Sequence, residues 1–267
     1  MTLNLLVGSL ALVSYICGAI LLAKQIVRRH TQYHHPVKFG WLGLLMHATY
    51  MGLNIVNHQN FDFSFFNAGA LVGLCIVALL LIASIDKPVE KLGIAVYPLA
   101  ALLLGLDLIF PEQTRLLSNY NWQMSVHVLS SIIAFSLLNI AALQAILLAI
   151  QDQQLRNHSP QRLILALPPL QAMETLLFQM IATGLAFLTV ALISGFVFID
   201  DLFAQHLVHK TVLSIIAWII FSGLLVGRVR YGWRGSIAIQ WTLIGFVLLL
   251  MAYFGSKLVL ELILKKT

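Results

Sequence analysis

Apolar residues fill the chain in eight runs, each near the roughly 20-residue length that crosses a bilayer as a helix. The runs cover about residues 3–23, 38–57, 66–85, 92–110, 124–150, 177–199, 209–227 and 236–260. A backbone entering hydrocarbon must satisfy its own N–H and C=O groups, and for runs of this length only helices do so. The pattern predicts an all-α, polytopic membrane protein of about eight transmembrane helices, a single integral membrane domain over residues 1–267. Connections are short, apart from 151–176. Within that stretch, after Pro169, Leu170, Met173, Leu176 and Leu177 share one helical face. Such spacing suits an amphipathic helix lying on the cytoplasmic surface before it turns into the sixth span, with an ordinary linker helix as the blander and preferred reading. GALVG at 69–73 is a GxxxG pattern, and packing of helices within the chain is its expected use.

Composition agrees with this reading. The chain is 60% hydrophobic and 10% charged, where a soluble domain carries about a quarter charged residues. Its first run starts almost at Met1 without a basic flank or a small-residue cleavage signature, so it reads as a span and not as a signal peptide. Cys17 and Cys75 lie in separate runs with no CxxC spacing, which fits small core residues. The net charge of +6 is carried by short loops, a topology signal and no nucleic-acid footprint. One set of loops holds Lys24, Arg28, Arg29, Lys38, Lys87, Lys91, Arg156, Arg162, Arg228, Arg230 and Arg234. The opposite set holds Arg115, Lys210, Lys257, Lys265 and Lys266. Eleven against five makes the first set cytoplasmic and places both termini on the outer, periplasmic side of a bacterial inner membrane.

Polar groups inside a span are costly, and each asks for a partner or a task. Of nine histidines, His30, His34, His35 and His158 fall in loops and read as solvated residues. His47 falls near the middle of the second span, and His58 at its outer end. His127 lies about one turn inside the outer end of the fifth span, while His206 and His209 open the seventh. With the assigned topology, His58, His127, His206 and His209 reach the same membrane face. A buried imidazole can be a haem ligand, a proton relay, or a core residue bonded to a carbonyl or hydroxyl. Ser130 and Ser131, one turn from His127, could supply that last bond. A relay through His47 finds no acidic partner in the middle of the membrane, and Asp107, beside Pro111, reads as an interfacial residue reaching water. Ser-His-Asp arrangements, Gly-rich phosphate loops, HExxH and CxxCH are all missing, so any haem would be held without covalent attachment.

Three stretches carry a family resemblance. They are NWQMSVHVLSSIIAFSLLNIAALQAILLA, LPPLQAMETLLFQMIATGLAFLTVALISGFVF, and HKTVLSIIAWIIFSGLLVGRVRYGWRG with IGFVLLLMAYFGSKLV. Covering about residues 121–260, they resemble the cytochrome c assembly superfamily of membrane haem-handling proteins (the CcsA, CcmC and HemX group), and within it the YpjD-type inner-membrane proteins. The resemblance implies packed transmembrane helices and a haem b site near the outer face, with His127 as an external axial ligand. His47 would then be a second ligand or a position lower on a transit path, and His206 or His209 could stand in for the family's second external histidine. Arg115 or Lys210 would pair with propionates. Two family features are absent here: the tryptophan-rich segment before the seventh span reads FIDDLFAQHLVHKT, and the chain closes on ELILKKT without a histidine. The expected function is haem binding or trafficking without enzymatic activity, with membrane lipids and cytochrome-maturation proteins as partners. The rival is a structural or regulatory membrane subunit that has lost the cofactor.

Overall fold

The computed structural model describes residues 2–28, 35–58, 64–86, 89–110, 122–157, 167–198 and 208–255. Eight long helices appear in chain order: α1 (Thr2–Arg28), α2 (His35–His58), α3 (Phe65–Asp86), α4 (Gly93–Ile109), α5 (Trp122–Arg156), α6 (Leu170–Phe198), α7 (Val208–Tyr231) and α8 (Ser236–Leu250). A short 3₁₀ turn, Glu90–Leu92, leads into α4, and a π-helical turn, Met251–Gly255, extends α8. No strand occurs among the described residues. Among the described residues, seven helices are long and apolar enough to cross a membrane. The exception, α2, has 24 residues, about 36 Å. Its lower hydropathy comes partly from polar side chains that turn inward, as described below. The protein is an all-α polytopic membrane protein.

Local chemistry sets the ends. His35 opens α2 because Pro36, in the first turn, needs no N–H there and brings a helical φ. In α6 the N–H groups of Ala172 and Met173 both bond to the Pro169 carbonyl, at 2.9 and 3.1 Å, so the helix starts directly after the double proline. Between α7 and α8 the chain reverses through Gly232 (φ 65°) and Gly235 (φ 61°), a region that side chains with a Cβ rarely enter. The Gly235 N–H, at the start of α8, donates to the Glu174 carboxylate of α6 at 2.6 Å.

This arrangement corrects one expectation. The stretch after Pro169 is no separate surface helix; it forms the first turns of one continuous helix, Leu170–Phe198. Met173 and Leu177 are buried, and Gln144 of α5 donates to the Met173 carbonyl at 2.6 Å. The apolar stripe faces helices and not lipid.

The helices pack as two compact units, α1–α4 and α5–α8. In the first, α1 runs antiparallel to α2 and α4, bringing Gly8 to Tyr50 and Leu108, and Gly18 to Tyr97. Gly69 and Gly73 of the GxxxG pattern lie against Leu103 of α4, and Gly73 also meets Ala100, so the motif joins two helices of this chain. In the second, α5 runs antiparallel to α6, with Leu138 against Gly184, while Phe221 of α7 covers Gly245 of α8. Phe135 anchors this unit's aromatic core against Phe246, Tyr253 and Phe254, at 5.8, 4.7 and 5.6 Å between centroids. Lipid tails are as apolar as leucine, so close packing at small residues and interhelical hydrogen bonds must hold such bundles together.

Candidate functional site

His127 sits on the second turn of α5, half-buried against α6. Its Nδ1 is 2.8 Å from the Ala191 carbonyl oxygen. A carbonyl only accepts, so Nδ1 carries the hydrogen and Nε2 of the neutral ring keeps its lone pair. Ser194 donates to the same carbonyl at 3.0 Å, with its Oγ 3.4 Å from His127 Nδ1. Gly195 completes the seat: a Cβ there would lie 3.1 Å from His127 Cε1. Ala191, Ser194 and Gly195, the last two within the ISG of the stretch ending ALISGFVF, are thus the surface on which the imidazole rests. Ser130 instead bonds along its own helix to the carbonyls of Val126 and His127, at 2.7 and 3.1 Å, and Ser131 bonds to Tyr253. Neither serine one turn along α5 is the partner of the ring; the carbonyl of a different helix is.

The same atoms are what a haem-ligating imidazole would need. A metal-ligating histidine commonly donates its second ring N–H to a carbonyl or carboxylate, which fixes the tautomer and raises the basicity of the other nitrogen. His127 meets that requirement through Ala191, with Nε2 as the remaining donor atom. No group of three or more His, Cys, Asp or Glu side chains that could hold a metal ion occurs among the described residues. A site of that many-ligand kind is a different one from single-imidazole haem ligation.

His209 lies in the first turn of α7, exposed to solvent or headgroups. The Trp218 indole N–H donates to Thr189 Oγ1 at 2.8 Å and Arg228 lies over Phe178, so α7 runs antiparallel to α6 and His209 lies toward the same end of its unit as His127. His206 and Arg115 lie outside the described residues, as do His30, His34 and His158. Lys210 is half-buried beside His209, and His58 closes α2 in the other unit.

His47 belongs to a different setting. Its side chain is 0% exposed within the first unit. Nδ1 lies 3.3 Å from the Tyr15 hydroxyl of α1, and Nε2 is buried without a hydrogen-bond partner. The Tyr15 ring meets His47 edge-on at 5.9 Å and stacks on Tyr97 of α4 at 6.2 Å. One turn further along α2, Tyr50 donates to Asp107 Oδ2 at 2.8 Å, and one more turn on, Asn4 donates to Asn54 at 2.9 Å. Asp107 is 7% exposed, so the interfacial reading of this residue is corrected: it points into the bundle and is held there by a phenol. Gly40, Gly43, His47, Tyr50 and Asn54 therefore make one inward face of α2, with spacings of three and four. Removing the hydroxyl alone, by Tyr50→Phe, takes a donor from a buried carboxyl. That change should cost about 1–2 kcal/mol, read as a lower midpoint in detergent unfolding; an unchanged midpoint would show that the bond contributes nothing.

A multi-pass helical membrane protein with an oriented imidazole at one end of its second unit is the class of protein that this fold defines. The family model for cytochrome C assembly protein matches residues 36–264, and the chain belongs to that family. It is 30% identical over 259 residues to inner membrane protein YpjD of Escherichia coli strain K12, covering 95% of this chain and 97% of that one. A partial relative is an uncharacterized 28.8 kDa protein of Azospirillum brasilense, 29% identical over 53% of each chain. The cytochrome c biogenesis protein CcsA of Rippkaea orientalis is 28% identical over 39% of this chain and 30% of its own length. No solved structure matches the chain.

Proposed function

We propose that the chain is a haem-binding or haem-trafficking protein of the bacterial inner membrane, without enzymatic activity of its own. It holds haem b non-covalently near the periplasmic face, and His127 is the axial ligand. The observation that carries this reading is the His127 Nδ1–Ala191 carbonyl bond of 2.8 Å, which leaves Nε2 as the ligating atom. Membership of the cytochrome c assembly family supports the choice of haem. Haem bound there would supply an iron centre that can be passed on or change oxidation state. The chain's own residues fix the imidazole, through Ala191, and leave space for it, through Gly195.

The remaining candidates take subordinate places in this reading. His209, or His206 on the adjoining segment, supplies a second external imidazole, and Arg115 and Lys210 pair with propionates. His47 is kept as a second ligand or a lower transit position on the strength of its unpartnered nitrogen; the Tyr15 ring must move before a porphyrin reaches it. Both termini lie in the periplasm, the orientation that the Lys and Arg distribution favours. Proteins that mature cytochromes are the natural recipients.

The test is optical. Protein purified in detergent after haem-replete expression should show a Soret band, and pyridine extraction should identify haem b. A colourless preparation that also fails to take up added haem would reject the reading in favour of a structural or regulatory subunit.

A further inference from the structure

The turn joining α7 to α8, RVRYGWRGS at 228–236, has no part in the haem reading, and its construction calls for a ligand. It is braced from within. Trp233 packs over Gly227, where any Cβ would collide with the indole, and the Trp233 backbone N–H donates to the Gly227 carbonyl at 3.2 Å. Arg228 is fully engaged, donating to the Trp233 carbonyl at 3.2 Å while its guanidinium lies 4.8 Å from the centroid of Phe178. Glu174, the carboxylate that touches the turn, accepts the Gly235 N–H. Two positive-φ glycines and these bonds hold the turn in one shape.

What remains outside is unusual. Arg230 and Arg234 are exposed, and among the described residues neither has an acidic partner. Beside them, Val229 is 85% and Tyr231 74% exposed. Tyr231, Trp233 and Trp241 stack in a ladder, with centroids 6.2 and 6.3 Å apart. Guanidinium groups interleaved with bare aliphatic and aromatic side chains suit a boundary where headgroup and acyl chain meet, since indole and phenol rings settle at that depth. The fork of an arginine matches the oxygens of a phosphate, and holding the backbone still removes part of the ordering cost of binding.

We infer that this turn is a binding site for an anionic phospholipid: Arg230 and Arg234 hold the headgroup phosphate, and the Tyr231–Trp233–Trp241 ladder lies along the glycerol and upper acyl chains. A soluble anion would satisfy the arginines but leave the ladder and Val229 without a partner, so the lipid is the occupant assigned.

Tryptophan quenching tests it. The full chain, with Trp41, Trp122 and Trp218 changed to Phe, reports from Trp233 and Trp241 alone. In phosphatidylcholine vesicles, a small fraction of brominated phosphatidylglycerol should quench more strongly than the same fraction of brominated phosphatidylcholine. Each guanidinium near the surface contributes roughly a fivefold preference, so a ratio of roughly five to twenty-five is expected. Arg230→Ala with Arg234→Ala should bring the ratio close to one, and Arg230→Lys with Arg234→Lys should retain part of it, because the charge stays and the fork is lost. If the alanine pair does not fold, raising salt on the parent protein serves instead and should lower the preference. Equal quenching by the two lipids in the parent overturns the inference. So does a preference that survives the alanine pair, or one abolished by millimolar soluble glycerol phosphate.

Discussion

His127→Ala should remove the Soret band from the purified protein while leaving the bundle folded. In the proposed reading the imidazole is the bond between chain and iron, and its loss should lower haem affinity by more than about 100-fold, the upper end of what losing a mere outer-shell partner costs. Folding should suffer little. The ring is half-buried and makes one interhelical hydrogen bond, worth about 1 kcal/mol in a membrane. Two further substitutions separate ligation from general damage. Ser194→Ala deletes a hydroxyl that only approaches Nδ1, at 3.4 Å, and should leave the spectrum almost unchanged. Gly195→Val places carbon 3.1 Å or less from Cε1 and should displace the ring without removing it, shifting or broadening the band. If His127→Ala keeps a band identical in position and height to the parent, His127 is not the ligand.

The helices were largely legible because one quantity, run length in apolar residues, decides whether a segment can sit in hydrocarbon. Bundle direction follows from it, since each short connection forces the chain to return. Faces were not legible in the same way. The stripe of Leu170, Met173, Leu176 and Leu177 has the same period whether it meets a membrane surface or a neighbouring helix, and only the packing against α5 distinguishes them. Asp107 lies near the end of its helix, so sequence position suggested water. Its rotation about the helix axis, fixed by Tyr50 from another helix, determines the burial.

The imidazole site shows the same division. Sequence singled out His127 by cost, because an ionisable ring inside an apolar run needs a reason. It left the partner open between a carbonyl and a serine one turn along, since the acceptor is 64 residues away in the chain. The available signal was the ISG landmark of α6, where a small residue follows a hydroxyl inside an apolar run. The polar pairs along α2 left a weaker trace. Gly40, Gly43, His47, Tyr50 and Asn54 repeat at helical spacing, and the two glycines of this face make room for the Tyr97 and Tyr15 side chains close to the backbone.

That face carries the second large effect. Gly43→Val should destabilise the first unit by about 3 kcal/mol, the upper part of the range for overpacking a filled core. A Cβ at this position would stand 2.6 Å from both Cδ1 and Cε1 of Tyr15, far inside van der Waals contact. The ring has nowhere to retreat: it stacks on Tyr97 and sits edge-on to His47, and Tyr97 is itself pressed against Gly40. Relief would require α1 and α2 to separate, which breaks the Asn4–Asn54 bond as well. The same helix supplies the control. A Cβ on Gly52 would meet nothing within 4 Å, so Gly52→Ala should be neutral or stabilise by up to about 1 kcal/mol through helix propensity. Combining Gly43→Val with Tyr15→Leu should recover part of the loss, because the obstructing ring is gone. Unfolding midpoints in a common detergent decide the matter, and equal midpoints for the Gly43 and Gly52 variants would mean that the tyrosine pair is not packed against α2.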